Sequence, residues 1–197
     1  MELGLFALAS NFFLIANPIG NIPTVVALVK DFPLERQRII VLREAIFALM
    51  VAIGFQFIGR ELLNYLQIKT YAVSITGGLL LFFVAIRMMF PSHGPKEKSA
   101  LKQEHFLVPI ATPTISGGGV MSSIMIYSGL TENPLLVTSA LLVAWCAVIP
   151  VMFLSIYLKK ILGNRGILAL EQLMGMVLVL LSMKLLVQGF RIFVTGQ

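Results

Sequence analysis

The chain has 197 residues, of which 58% are hydrophobic and only 12% charged, with a mean hydropathy of +0.93. A soluble domain carries about 25% charged residues and could not bury this much apolar surface, so a water-soluble globule is excluded and the solvent must be lipid. The net charge of +6 is read as membrane orientation rather than nucleic-acid binding, and the length suits one transmembrane unit.

A bilayer core of about 30 Å takes about 20 apolar residues of helix. Six stretches meet that length: Leu3–Val29, Ile40–Ile58, Tyr71–Met89, Phe106–Gly129, Leu135–Leu158 and Ile167–Phe190. Met1–Ser10 has no basic region and contains Glu2, so the first stretch reads as a span and not as a cleaved signal peptide. After it, Asp31-Phe32-Pro33 reads as a turn and helix start, with Asp31 capping and Pro33 in the first turn. Arg60–Lys69, Thr131–Pro134 and Gly163–Gly166 read as short connections, and Pro91–His105 as the longest loop. His93 and His105 read as solvated residues of that loop, and Cys146 as a small buried hydrophobe.

Cations fall unevenly about these spans. Lys30, Arg36, Arg38, Arg43, Lys96, Lys98, Lys102, Lys159, Lys160 and Arg165 lie on one side, ten in all; Arg60, Lys69 and Arg191 lie on the other. The richer side is expected to face the cytoplasm, with both termini outside.

The two halves resemble each other. Gly78 is followed nine residues later by Arg87, and Gly175 by Lys184, at an offset of 97. The first span is interrupted by Asn17-Pro18-Ile19-Gly20-Asn21-Ile22-Pro23 and the fourth by Thr112-Pro113-Thr114-Ile115-Ser116-Gly117-Gly118-Gly119. Asn17-Pro18 and Thr112-Pro113 align at an offset of 95. Three spans per half would give the halves opposite orientations, the plan of many secondary transporters. The expected fold is therefore an all-α polytopic membrane protein of six helices, in two inverted three-helix repeats with interrupted helices 1 and 4. Repeat one takes residues 1–90, the cytoplasmic loop 91–105 and repeat two 106–197.

Proline removes a backbone N–H and glycine tolerates non-helical angles, so both motifs should unwind their helices. In lipid, non-helical backbone survives only where protein or a water-filled cavity covers it, which predicts two breaks facing each other. Half-helix ends offer free N–H groups for a carboxylate and free carbonyls for an ammonium, a combination suited to a zwitterion. The candidate substrate-binding residues are Asn17, Pro18, Gly20, Asn21, Pro23, Thr112, Pro113, Thr114, Ser116, Gly117, Gly118, Gly119 and Ser122. Glu44 and Glu171, each about one turn inside a span, are candidates for proton coupling; the plainer alternative for Glu44 is an interfacial pair with Arg43. Ser74 and Gly78, four apart and read as exposed, could pack a helix within or between subunits. No phosphate loop and no His-Glu-x-x-His motif occurs; a serine nucleophile at Ser116 is a remote alternative, because both histidines lie in the loop. No catalytic residue, metal or cofactor is expected, and no nucleic-acid partner. The expected partners are a small-molecule substrate and the lipid bilayer, with a homo-oligomer left open.

The Asn17–Pro23 motif, six spans, this length and a glycine-rich break opening the second half resemble the MarC family. These are inner-membrane proteins of bacteria and archaea also called UPF0056, related to the SnatA small-neutral-amino-acid transporters. The resemblance covers essentially the whole chain, and the length and loop style resemble its YhgN-type members. It implies a secondary transporter or exporter in the inner membrane, with small neutral amino acids such as glycine or alanine as the substrate class. By motif position, the family's breaks fall on Asn17, Pro18, Gly20, Asn21 and Pro23, and on Ser116 to Gly119. Many members have Gly-Pro-Gly where this chain has Gly117-Gly118-Gly119, which makes the second break more pliable here. The other readings are a channel or passive facilitator lined by the same breaks, and a membrane scaffold that transports nothing.

Overall fold

A computed structural model describes residues 4–29, 32–90, 118–131 and 133–195. It is all-helical among them: α1 (Leu5–Ala16), α2 (Ile22–Val29), α3 (Leu34–Tyr65), α4 (Thr70–Met89), α5 (Gly118–Leu130) and α6 (Pro134–Thr195). Four stretches are long and apolar enough to cross a bilayer, namely Leu34–Gly59, Thr70–Met89, Pro134–Ser155 and Arg165–Thr195. The first predicted span is divided into α1 and α2. Of the fourth, Phe106–Gly129, the structure describes the part from Gly118 onward; the Pro91–His105 loop with its two histidines lies outside the described residues.

Helix and apolar stretch do not end together. α3 begins at Leu34 and runs to Tyr65, well beyond the apolar stretch Ile40–Ile58, because hydropathy reports where lipid ends while polar residues such as Glu35 and Asn64 still hold helical hydrogen bonds in water. Pro33 stands at the cap position before the first turn rather than within it, and Asp31 is outside the described residues.

α6 must fold back on itself. On α3, Gln56 donates to the Pro134 carbonyl at 2.8 Å, and on α4, Tyr71 packs edge-on against Phe193 at 5.2 Å. A straight helix would hold Pro134 and Phe193 ~90 Å apart, yet the backbone from Gln56 to Tyr71 can span only ~35 Å. The bend is at Gly163, whose φ of 63° and ψ of −177° are the one non-helical setting inside α6. That region of backbone space is essentially restricted to glycine. The predicted turn at Gly163–Gly166 is thus a one-residue elbow joining two arms, Pro134–Ser155 and Arg165–Thr195.

The first arm runs antiparallel to α3. Gln56 meets Pro134, Trp145 Nε1–H donates to the Ala45 carbonyl at 2.8 Å, and Arg38 reaches the Tyr157 hydroxyl. The second arm runs antiparallel to α4. Tyr71 meets Phe193, Ser74 Oγ–H donates to the Leu185 carbonyl at 2.7 Å, and Gln172 reaches the Met89 carbonyl at 3.4 Å. Ser74 and Gly78 are buried in this seam, not exposed as their small size suggested, so they serve packing within the chain. A Cβ on Gly78 would lie 2.8 Å from Leu186 Cγ, and one on Gly175 3.0 Å from Met89 Cγ. Gly175 follows Gly78 by 97 positions, and Leu186 follows Met89 by the same number.

The core joins α1 to α5 and both arms of α6, with Phe12, Trp145, Ile124, Leu141 and Met152 fully buried. Beside Trp145, Cys146 is exposed rather than buried. Two adjacent helical positions point about 100° apart, Trp145 takes the inner one, and an apolar thiol facing lipid loses nothing by exposure.

Candidate functional site

The site begins where α1 stops. Pro18 cannot give the N–H that the Leu14 carbonyl would take from it, so the helix cannot continue through it. Asn17 turns the chain with φ 49° and ψ 52°, the left-handed setting that asparagine tolerates better than most residues. Its own N–H still closes the last turn on the Phe13 carbonyl at 3.0 Å.

Side chains then replace the lost backbone bonds. Asn17 Oδ1 accepts from the Gly20 N–H at 3.2 Å, and Asn21 Nδ2 donates to the Ala16 carbonyl at 3.2 Å. The chain re-enters helix through Asn21 N–H to Asn17 O at 3.1 Å and Val25 N–H to Asn21 O at 3.0 Å. Asn17, Pro18 and Gly20 are buried, and Pro23 is half-buried in the first turn of α2. Motif residues Asn17, Pro18, Gly20 and Asn21 therefore form one continuous break.

One wall is Met88 of α4, a residue that the sequence did not single out. Asn17 Nδ2 donates to Met88 Sδ at 3.3 Å. A Cβ on Gly20 would sit 2.2 Å from Met88 Cε and 2.3 Å from Asn17 Nδ2, so any side chain there must displace the thioether and the amide. Methionine in an apolar helix carries no signal of its own; its place opposite Asn17 is set by the fold across 71 residues.

The break lies inside the bundle. α4 ends at Met89, beside Gly175, while the second arm continues ten residues further, to Arg165, or ~15 Å. α2 covers that continuation: Ile22 and Val26 pack with Ile167, and Leu158 and Leu170 close around them, so α2 occupies the crook of the elbow. α1 is held on its other flank by α5, where Phe12 meets the Tyr127 ring edge-on at 5.8 Å and Asn11 Nδ2 donates to the Tyr127 hydroxyl. Asn11 is a second missed residue. An amide at that depth in an apolar helix was a legible sign of an inward-facing position.

The second half of the predicted site is described only in part. Thr112, Pro113, Thr114, Ser116 and Gly117 lie outside the described residues. Gly118 opens α5. Gly119 packs on α4, where a Cβ would stand 2.3 Å from Leu81 Cγ, and Ser122 is buried against Gly77, whose added Cβ would lie 2.4 Å from Ser122 Cβ. Leu81 is two turns up α4 from Met88, so α4 runs between the first break and the start of α5.

Of the two carboxylates, Glu44 does pair with Arg43, at 3.2 Å, but the partners differ in environment: the Arg43 side chain is 49% exposed and that of Glu44 only 4%. Glu44 Oε1 takes the ion pair, while Oε2 is buried with no hydrogen-bond partner among the described residues. Glu171 is half-buried at the elbow end of the second arm and is engaged by neighbouring groups.

The sequence matches the MarC family of integral membrane proteins over residues 4–194. The chain belongs to the MarC family. It is therefore a multi-pass integral membrane protein. It is 40% identical over 180 residues to a UPF0056 membrane protein of Buchnera aphidicola from Schizaphis graminum, covering 90% of this chain and 91% of that one. It is 35% identical over 185 residues to the UPF0056 inner membrane protein YhgN of Escherichia coli K12, covering 93% and 94%. A UPF0056 membrane protein of Chlamydia pneumoniae is 36% identical over 184 residues, covering 92% and 91%. No solved structure matches the chain.

Proposed function

We propose that this MarC-family chain is a secondary transporter or exporter of small neutral solutes, small neutral amino acids first among them, in the inner membrane. It works by alternating access at paired helix breaks, with no enzymatic step. The observation that carries this reading is the break at Asn17–Asn21. It is non-helical backbone buried inside the bundle beside the end of α4, lined by amide side chains and faced by a flexible thioether. Broken backbone buried in a membrane protein costs several kcal/mol per unsatisfied group, and interrupted helices are a usual place for a transported solute.

The architecture proposed is six spans in two inverted repeats, with both termini outside. Two features support it. α3 and the first arm of α6, and α4 and the second arm, are antiparallel partners, as elements exchanged by a twofold axis in the membrane plane would be. The contacts Gly78–Leu186 and Gly175–Met89 are interchanged by the 97-residue offset. The second break, around Thr112, Pro113, Thr114 and Ser116 to Gly118, would by this symmetry complete the site. Glu44 is the better placed of the two candidates for coupling to a proton, since its Oε2 is buried with no hydrogen-bond partner among the described residues while Oε1 holds Arg43.

The test is counterflow. Liposomes holding the purified chain and loaded with unlabelled alanine should accumulate labelled alanine from outside, and Gly20→Leu should abolish this while the protein remains inserted. Absence of counterflow with alanine, glycine and serine alike would remove the amino-acid reading.

A further inference from the structure

Away from the break, α4 and the second arm of α6 enclose an outward-facing slot of about 410 Å³ lined by Ile75, Leu186, Val187, Phe190 and Arg191. The volume falls within the ~300–1,000 Å³ of small-molecule pockets. Next to the slot the helices approach closely at Gly189, where a Cβ would lie 3.0 Å from the Ile75 nitrogen. Val187 and Phe190 are 62% and 63% exposed, so the slot opens to whatever surrounds the bundle, which for this protein is lipid. Leu186 is eleven residues, or ~16 Å, along the arm from Gly175, so this is a place separate from the Asn17–Asn21 break.

The slot has one charged end. Arg191 is exposed and has no carboxylate partner among the described residues. It lines the slot beside Phe190, and Phe190, Phe193 and Tyr71 contact one another in series at 6.5 and 5.2 Å. Such aromatic clusters sit at the level of lipid headgroups. An apolar furrow that leads up to an unpaired guanidinium at headgroup depth matches an amphiphile with an apolar tail and an anionic head. We propose that this slot binds an anionic phospholipid, with an acyl chain along Ile75, Leu186 and Val187 and the head phosphate on Arg191, whose fork of N–H donors suits phosphate oxygens. A second copy of the chain is a poorer occupant, because a twofold contact centred on the slot would bring the two Arg191 guanidinium groups together.

The test is native mass spectrometry of the full chain from mixed micelles holding equal dioleoyl phosphatidylglycerol and dioleoyl phosphatidylcholine. The wild type should retain phosphatidylglycerol preferentially. Arg191→Gln should lower that preference roughly fivefold, the effect of one cation at the membrane surface, Arg191→Lys should keep most of it, and Val187→Trp should reduce retention of both lipids by filling the furrow. Equal retention of the two lipids by the wild type, or an Arg191→Gln variant indistinguishable from it, overturns the proposal. So does competition by glycerol phosphate as effective as by the lipid, which would mark a site for a free anion, or a dimer that Val187→Trp dissociates.

Discussion

The chain leaves its helical path at Asn17–Asn21 and again at Gly163, and these two departures are held by different means. At the first, contacts fix the backbone: Asn17 takes the Gly20 N–H, Asn21 takes the Ala16 carbonyl, and Met88 closes over both Asn17 and Gly20. At the second, nothing among the described residues lies within 4 Å of where a Cβ on Gly163 would be, and the elbow depends on a backbone setting that only glycine reaches without strain. A bend that merely reverses direction can stand in open space. A break whose polar groups are buried must be satisfied atom by atom, and that density of contacts is what a binding site requires.

The largest effect expected is at Gly20. Gly20→Leu adds a side chain where even a Cβ collides with Asn17, and should cost ~3 kcal/mol, the upper part of the range for overpacking. The midpoint of thermal unfolding of the purified protein should fall by ~6–12 °C. In a gentler pair, Met88→Ala should partly rescue Gly20→Ala, with a coupling of at least ~0.5 kcal/mol in a double-mutant cycle. Additive effects would mean that the thioether does not close the break.

Asn17→Ala should come next. It leaves the buried Gly20 N–H without its acceptor at 3.2 Å, worth ~1 kcal/mol for so long a bond, and puts a Cβ residue of low tolerance into the left-handed region, worth ~1 kcal/mol more. Asn17→Gly separates the two terms, since it restores the backbone setting and not the amide. It should unfold between the wild type and Asn17→Ala, and counterflow of alanine should be impaired in both. Equal midpoints for the two variants would show that the left-handed turn is not under strain.

These sites differ in how far the sequence revealed them. Length and hydropathy located the spans that became α3, α4 and the two arms of α6, because a bilayer sets a minimum apolar length. The first break was legible because Pro18 and Pro23 are stereochemical facts about their own backbone. What needed the fold was everything decided by a distant partner. Met88 opposite Asn17, Tyr127 against Asn11 and the burial of Ser74 beneath Leu185 are contacts between residues 71, 116 and 111 positions apart. The burial of Glu44 beside a half-exposed Arg43 is of the same kind: the two are neighbours in sequence, and only the packing of α3 tells which points inward. The extent of α3 beyond the membrane was hidden for a different reason, since a helix in water leaves no mark in hydropathy.

At the elbow the expected cost is smaller. Gly163→Ala keeps all its neighbours and adds only backbone strain, ~1–2 kcal/mol, with counterflow unchanged once folded protein is compared at equal amount. If it were to cost more than Asn17→Ala, the contrast between a bend fixed by conformation and a break fixed by contacts would fail.

The smallest effect belongs to a polar contact at the far end of the bundle, which tests whether satisfied amides matter generally or only at the break. Gln56 is buried on α3 and donates to the Pro134 carbonyl and to Thr138 Oγ1, both at 2.8 Å. Gln56→Leu removes the amide, yet its partners are not stranded, because Thr138 Oγ–H can donate to the Pro134 carbonyl at 3.0 Å. Leucine has similar bulk and is at home in lipid. Interhelical hydrogen bonds in membranes average ~0.6 kcal/mol, so a loss of that size, or ~1–3 °C in the unfolding midpoint, is expected. A drop as large as that of Asn17→Ala would mean that burial of any amide, rather than the repair of broken backbone, sets the cost, and the special standing of the break would then rest on its geometry alone.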